Sequence, residues 1–265
     1  MAASEAPILF VVDGPIARLT LNRPNAGNAI DQAMADALLD AAIRCDADGT
    51  IRCVVLTGSG KLFCSGGDIR AIASADTDAV GFLSKLAGTL HMAQTRFLRM
   101  AKPLLVLING PAAGAGMSLA ISGDVAIAAQ SAHFTAAYGG VGLTPDGGMS
   151  WLLPRHVGLR RAQEIILTNR RVPASEAAEL GMVTRTVPDE DLVAEGEAAA
   201  LALASAATGA IAGARALLLE SASSQLEAQL ERETRTIAAA GGTTDFREGA
   251  AAFLARRKPA FKGGA

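Results

Sequence analysis

The stretch 104-LLVLINGPAAGAGMSLAISGD-124 can be read in two ways, and the choice decides the fold. From Pro103 to Gly123 it carries no charge, over a length close to the about 20 residues that a membrane-spanning helix needs. Against a span stand Pro103, the turn Asn109-Gly110-Pro111 and the small-residue run Gly114-Ala115-Gly116. Proline removes a backbone donor and biases the residue before it away from helix, and glycine weakens a helix interior. The stretch therefore reads as a buried strand, LLVLI (104–108), a glycine-rich turn, and a short helix near 115–122.

The flanks repeat that grammar. RCVVLTG (52–58) is another short β-branched run and leads into the loop SGKLFCSGGD, then a helical region over roughly 80–100. Before it, ILFVV and IARLTLN alternate around Asp13-Gly14 and predict a hairpin. After RPNAGNAI (23–30), Asp31 is placed to cap an amphipathic helix, DQAMADALLDAAIRC. DVAIAA and HFTAA follow the central stretch as further strands. From about residue 159 the pattern turns helical and alanine-rich, and only MVTRTVP (182–188) still reads as a strand. The expectation is an α/β body over residues 1–200 and a helical oligomerisation region over 201–265, with no tandem repeat at solenoid periods. Helices this rich in alanine have thin apolar faces, which predicts packing against other subunits.

Composition narrows the function classes. The 265 residues are 50% hydrophobic and 19% charged, enough to bury a large core. A formal net charge of −2 offers no electrostatic case for nucleic acid or an anionic membrane. Cys45, Cys53 and Cys64 have no patterned spacing, which fits a reducing cytoplasm rather than a disulfide framework. The N-terminal MAASEAPILFVVDG has an early acid and no basic region, so it does not read as a signal peptide. His91, His133 and His156 are isolated, with no H-x-x-x-H or C-x-x-C spacing, so no metal site is expected. P-loop, G-x-G-x-x-G and G-x-S-x-G motifs are all missing.

Two glycine-rich loops remain, 63-FCSGGD-68 and 109-NGPAAGAGMS-118, each following a buried strand. Each alone reads as a tight strand-to-helix turn. Side by side, they could aim two backbone N–H groups at one developing oxyanion. A third stretch, 138-YGGVGLTPDGG-148, sets a lone carboxylate, Asp146, among glycines. Pro-Asp-Gly is strong turn chemistry, so by itself it implies structure rather than catalysis.

Taken in order, RPNAGNAI, FCSGGDIR, NGPAAGAGMSLAISGD, GLTPDGGMSWLLPRHVG and AAELGMVTRTVP resemble the crotonase family of enoyl-CoA hydratases and isomerases. The tail DFREGAAAFLARRKPAFKG is similar to that family's C-terminal helix. The resemblance implies a spiral of ββα units, a homotrimer or hexamer, and acyl-CoA thioester substrates, with coenzyme A entering as part of the substrate and no separate cofactor. It places the two oxyanion donors on Gly67 and Ala115. Hydratases of the family carry two glutamates, and here those positions hold Ser118 and Tyr138. Neither serine nor tyrosine, with its ordinary pKa of about 10, replaces a carboxylate base at neutral pH.

With both glutamates absent, the resemblance shifts Asp146 towards catalysis. Several isomerases of the family use a carboxylate in this Pro-Asp position, and in related chlorobenzoyl-CoA dehalogenases the aspartate is the nucleophile. For substrate binding it points to Ala26, Asp68, Ile69 and Arg70 at the coenzyme A end, to Ser118 and Tyr138 around the acyl group, and to Phe261 and Lys262 on the tail. Asp68 and Asp124 also read as structural or cap-like residues, and Cys64 as a small buried hydrophobe. Three activities stay open: an isomerase acting through Asp146, a hydratase with atypical water-activating groups, and a catalytically silent acyl-CoA binder. A Ser118-dependent thioesterase lacks any histidine or acid placed by motif to activate the serine.

Overall fold

The structure, a computed structural model, describes residues 6–263. Strands β1 (Ile8–Asp13) and β2 (Ile16–Leu21) form the antiparallel hairpin. Asp13 pairs with Ile16, so the tight turn is Gly14-Pro15, with Gly14 at φ +53°. Helix α1 (Gln32–Ala47) follows, and the Asp31 carboxylate accepts the Met34 N–H at 2.9 Å, as its cap chemistry requires. Next come β3 (Cys53–Gly58), α2 (Ile69–Ser74) and the long α3 (Ala79–Arg99).

The uncharged central stretch resolves into β4 (Leu104–Ile108), β5 (Ala112–Ala113) and α4 (Ala115–Ala120). Every residue of β4 is buried within the sheet, which is why the run carries no charge. Among the described residues no single helix is long and apolar enough to cross a membrane. The chain continues through β6 (Val125–Ala129), β7 (His133–Thr135), α5 (Met149–Val157), α6 (Leu159–Thr168), β8 (Arg171–Pro173), α7 (Ala174–Glu179) and β9 (Arg185–Val187). It ends in α8 (Leu192–Ser205), α9 (Thr208–Ser221), α10 (Leu226–Gly241) and α11 (Thr244–Leu254).

Six strands build the main sheet in the order β1-β2-β3-β4-β6-β9, parallel from β2 onward. Alternate residues feed two cores. Val54, Leu56, Leu104 and Val106 face α1 and α3, while Cys53, Val55, Leu105 and Leu107 join Leu192, Ala200 and Ala204 of α8. A second, smaller ladder runs beside the sheet: β5 pairs with β7 and β7 with β8, and bridges Ile30–Gly67 and Cys64–Ala112 extend it. Each main-sheet strand from β2 to β6 is thus followed by a short strand or bridge in the second layer. That is the ββα spiral.

The sequence reading missed four elements. Strand β5 is only two residues long, β8 three and α2 six, too short for either period to show. Helix α5 begins at Met149, before the expected helical region, and contains Pro154, which hides it.

Buried polar groups tie the C-terminal helices to this body. Arg215 of α9 pairs with Asp124 at 2.7 Å and donates to the carbonyls of Phe97, at 2.9 Å, and Met100. The tail folds back: Arg52 donates to the Phe261 carbonyl at 3.0 Å, and Asp245 accepts the N–H groups of Lys262 and Gly263 at 2.9 and 3.0 Å. Yet α10 buries no residue, and Leu218, Leu226, Ile237, Phe253 and Leu254 stand at least two-thirds exposed.

Candidate active site

The first loop hangs from Asn28, which is fully buried. Its Nδ2 donates to the carbonyls of Ser59, Leu62 and Phe63 at 2.9, 2.8 and 3.1 Å, and its Oδ1 accepts the Arg23 N–H at 2.9 Å. Beyond it the chain makes a one-residue bridge: Ile30 N–H donates to the Gly66 carbonyl at 2.8 Å and Asp68 N–H to the Ile30 carbonyl at 2.9 Å. That alternation turns the intervening Gly67 N–H away from the ladder. Gly67 lines a cavity.

The second loop brings Ala115 to the same cavity as the first residue of α4, where an N–H has no helical acceptor. The loops touch. A Cβ added at Gly66, whose φ is +95°, would lie 2.8 Å from the Ala113 carbonyl oxygen and 3.4 Å from the Ala115 nitrogen. Glycine at 66 is therefore what lets the two backbones meet. Cys64 between them is buried, its thiol pushed up to about 12 by burial, so it is an inert packing group.

Asp146 sits across this cavity, held by side chains on its carboxylate and on the peptide that follows it. Tyr138 donates its hydroxyl to Asp146 Oδ1 at 2.6 Å. Ser118 of α4 donates to the Asp146 backbone carbonyl at 2.9 Å, and its hydroxyl stands 3.4 Å from that of Tyr138. Gly147 N–H donates to His91 Nε2 of α3 at 3.0 Å. Burial pushes the Tyr138 phenol above the ordinary tyrosine range, and the Asp146 charge adds to that. Tyr138 therefore stays a proton donor. The segment that delivers it begins at Ala137, held at φ 66°, whose N–H is tied to the Asn169 side-chain oxygen.

The cavity has a volume of about 260 Å³. Ile30, Ile72, Leu86, Leu90, Val141 and Leu143 give it apolar walls, and Asp146 is the one acid among the described residues that line it. Ile69 stands at its margin, half exposed. Among the described residues no three His, Cys, Asp or Glu side chains are placed to hold a metal.

The expected site residues divide into those the fold gathers and those it leaves apart. Gly67, Ala115, Asp146, Tyr138 and Ile69 line the cavity, and Ser118 lies behind it, bonded to Asp146. Ala26 and Arg70 are exposed and outside the lining. Asp68 is occupied as the cap of α2: Oδ1 accepts the N–H groups of Arg70 and Ala71 at 3.1 and 3.2 Å, and Oδ2 pairs with Arg23 at 3.1 Å. Those donors hold its carboxyl below the ordinary range against a desolvation that raises it. Phe261 and Lys262 lie with Asp245 and Arg52, away from this chain's cavity. Two neighbours of the site went unread in the sequence, His91 and Asn169. His91 lies four residues after Ala87, on the helical repeat Leu83, Ala87 whose side chains face the cavity, and that spacing was the available signal. Asn169 offered none, because its partner Ala137 is 32 residues away.

This geometry has relatives. The family model described as enoyl-CoA hydratase/isomerase matches residues 12–264. The 1,2-epoxyphenylacetyl-CoA isomerase of Escherichia coli (strain K12) is 36% identical over 260 residues, covering 97% of this chain and 98% of that one. A protein of Rhodobacter capsulatus named "Probable enoyl-CoA hydratase" is 40% identical over 256 residues, with 97% and 98% covered. The crystal structure of an enoyl-CoA hydratase from Polaromonas sp. JS666 superposes with a TM-score of 0.92 at 32% identity, covering 96% of this chain and 99% of that chain. Such likeness over nearly the whole length, on a spiral with two apposed glycine loops, means that this chain belongs to the enoyl-CoA hydratase/isomerase family and has the crotonase fold.

Proposed function

We propose that this protein is an acyl-CoA isomerase in which Asp146 is the base. Its substrate is an enoyl-CoA or ring-derived acyl-CoA, and coenzyme A needs no other cofactor beside it. The Gly67 and Ala115 N–H groups donate to the thioester oxygen between them, each donor of this kind being worth about 2.7–4 kcal/mol to an oxyanion. Asp146 Oδ2 takes a proton from the carbon activated by the thioester, and the electron pair moves into the carbonyl to form the enolate. The same carboxylic acid, its proton exchanging with solvent while the enolate is held, delivers a proton to another carbon of the acyl group, the double bond shifts, and the carboxylate is restored. Water is neither consumed nor released.

The observation that carries this reading is the pair of bonds at Asp146. Ser118 and Tyr138, the residues at the two glutamate positions, both donate to Asp146, and neither is placed as a base of its own. The E. coli relative's name is in keeping with an isomerase. We place the enzyme in the cytoplasm as a homotrimer or hexamer, in which Phe261 and Lys262 of one subunit could reach the acyl-CoA site of another.

Incubation with a 3-enoyl-CoA in deuterated water tests the chemistry. The expected product has a shifted double bond and carries deuterium. Asp146→Asn, which keeps the turn bonds and loses the proton acceptor, is expected to lower turnover about 10²–10⁴-fold with little change in coenzyme A affinity. Wild-type turnover by that variant would reject the mechanism. Brisk hydration of crotonyl-CoA by the native protein would establish a hydratase instead.

A further inference from the structure

One peptide unit, Asp146–Gly147, is held at both of its polar ends by side chains from two different helices. Ser118 of α4 donates to its carbonyl at 2.9 Å, and His91 of α3 accepts its N–H at 3.0 Å. Gly147 lies flat against Ser118: its φ is +60°, and a Cβ there would stand 2.8 Å from the Ser118 Cβ. Among the described residues the carboxylate itself is held at one oxygen, Oδ1, by Tyr138. Oδ2 is left for chemistry.

His91 is near this oxygen without bonding to it. Its Nε2 stands 3.9 Å from Asp146 Oδ2, beyond hydrogen-bond range, while the same nitrogen accepts from Gly147. A ring nitrogen that accepts carries no proton, so the proton is on Nδ1 and the imidazole is neutral. The ring is also outside the cavity lining and about half exposed. It has the place of a support. It does not have the place of a group that meets substrate.

We infer that His91 is a positioning residue for Asp146, acting as the acceptor that fixes the Asp146–Gly147 peptide and so aims Oδ2 into the cavity. The inference rests on the reading of Asp146 as base. A support of this kind matters because proton abstraction demands close alignment, and a displacement of about 1 Å can cost roughly 10²-fold in rate. His91 is exposed enough that replacing it removes little packing.

The experiment compares His91→Leu, which removes the acceptor, with His91→Gln, whose amide oxygen can accept the same N–H but cannot relay protons. Turnover of a 3-enoyl-CoA and deuterium incorporation are followed, together with the melting temperature. His91→Leu is expected to lower kcat roughly 10- to 100-fold with KM nearly unchanged and an unaltered melting temperature. His91→Gln is expected to recover most of that loss. Equal slowing by both variants would show that the imidazole itself transfers protons, and would overturn the positioning role. Full activity in His91→Leu would overturn it as well. Asp146→Asn in the same assay separates the two proposals: an inactive Asp146→Asn beside a fully active His91→Leu rejects only the inference about His91. Nitrogen-15 spectra of the His91 ring give a readout independent of turnover. They are expected to show the Nδ1–H tautomer, and the Nε2–H tautomer would reject the inference.

Discussion

At the residue scale the site is organised around a single carboxylate whose two oxygens are unequal. Tyr138 holds Oδ1 at 2.6 Å and cannot easily give up its proton, because burial and the neighbouring charge both raise the phenol. The sign matters for pH behaviour. A raised tyrosine remains a donor throughout the range below its ordinary titration near about 10, so no alkaline loss of activity below that pH is expected from Tyr138. Tyr138→Phe frees Oδ1 and is expected to lower turnover roughly tenfold, in line with the about 1.5–3 kcal/mol typical of hydrogen bonds to charged groups. Wild-type turnover by that variant would reject this role for the phenol.

At the scale of elements, the oxyanion donors depend on two loops meeting, and the two glycines of FCSGGD are not equivalent there. Gly66 has φ +95°, and a Cβ would meet the Ala113 carbonyl; Gly67 has no positive φ, and a Cβ would meet only Ile72 Cδ1, at 3.3 Å. Gly66→Ala is expected to cost about 1–3 kcal/mol of stability through backbone strain, and most of the activity as the loops part. Gly67→Ala keeps its backbone N–H and should fall within about 1 kcal/mol of wild type. Thermal unfolding and turnover of the two variants check the contrast, and equal effects would show that the loop contact does not set the site. Elsewhere, Lys102 of the α3–β4 connection caps the C-terminal end of α1 by donating to the carbonyls of Asp46 and Asp48 at 3.1 and 2.6 Å and to that of Cys45. Its own pKa is lowered by desolvation, which the surrounding negative groups only partly offset.

At the scale of the whole molecule, the C-terminal helices are fastened at few points and expose many apolar side chains. Arg215 locks α9, and Arg52 and Asp245 lock the tail, but Leu226, Leu230, Ile237, Phe246 and Phe253 all face outward. Exposed apolar area on this scale is unusual for a monomer. Light scattering is expected to give a trimer or a multiple of three at micromolar concentration. A monomeric mass would reject that assembly and, with it, any closure of the site by a neighbouring subunit's Phe261.

Local chemistry was enough for much of this architecture. The hairpin, the Asp31 cap, the strands 53–58 and 104–108 and the long helix over 79–99 are each specified by residues within a few positions of one another, through period, turn and capping preferences. The same holds for the two glycine loops, whose small residues are visible as a run. What tertiary structure decided is which groups meet. Whether Ser118 and Tyr138 would act as weak bases or as donors to Asp146 could not be read from their identities, because the answer is a distance across 28 and 8 residues of chain. His91 looked isolated because its partner is a backbone N–H 56 residues away, and a backbone N–H has no letter in the sequence. Strand β8 was invisible for a related reason: its three residues are held by pairing with β7, not by any pattern of their own.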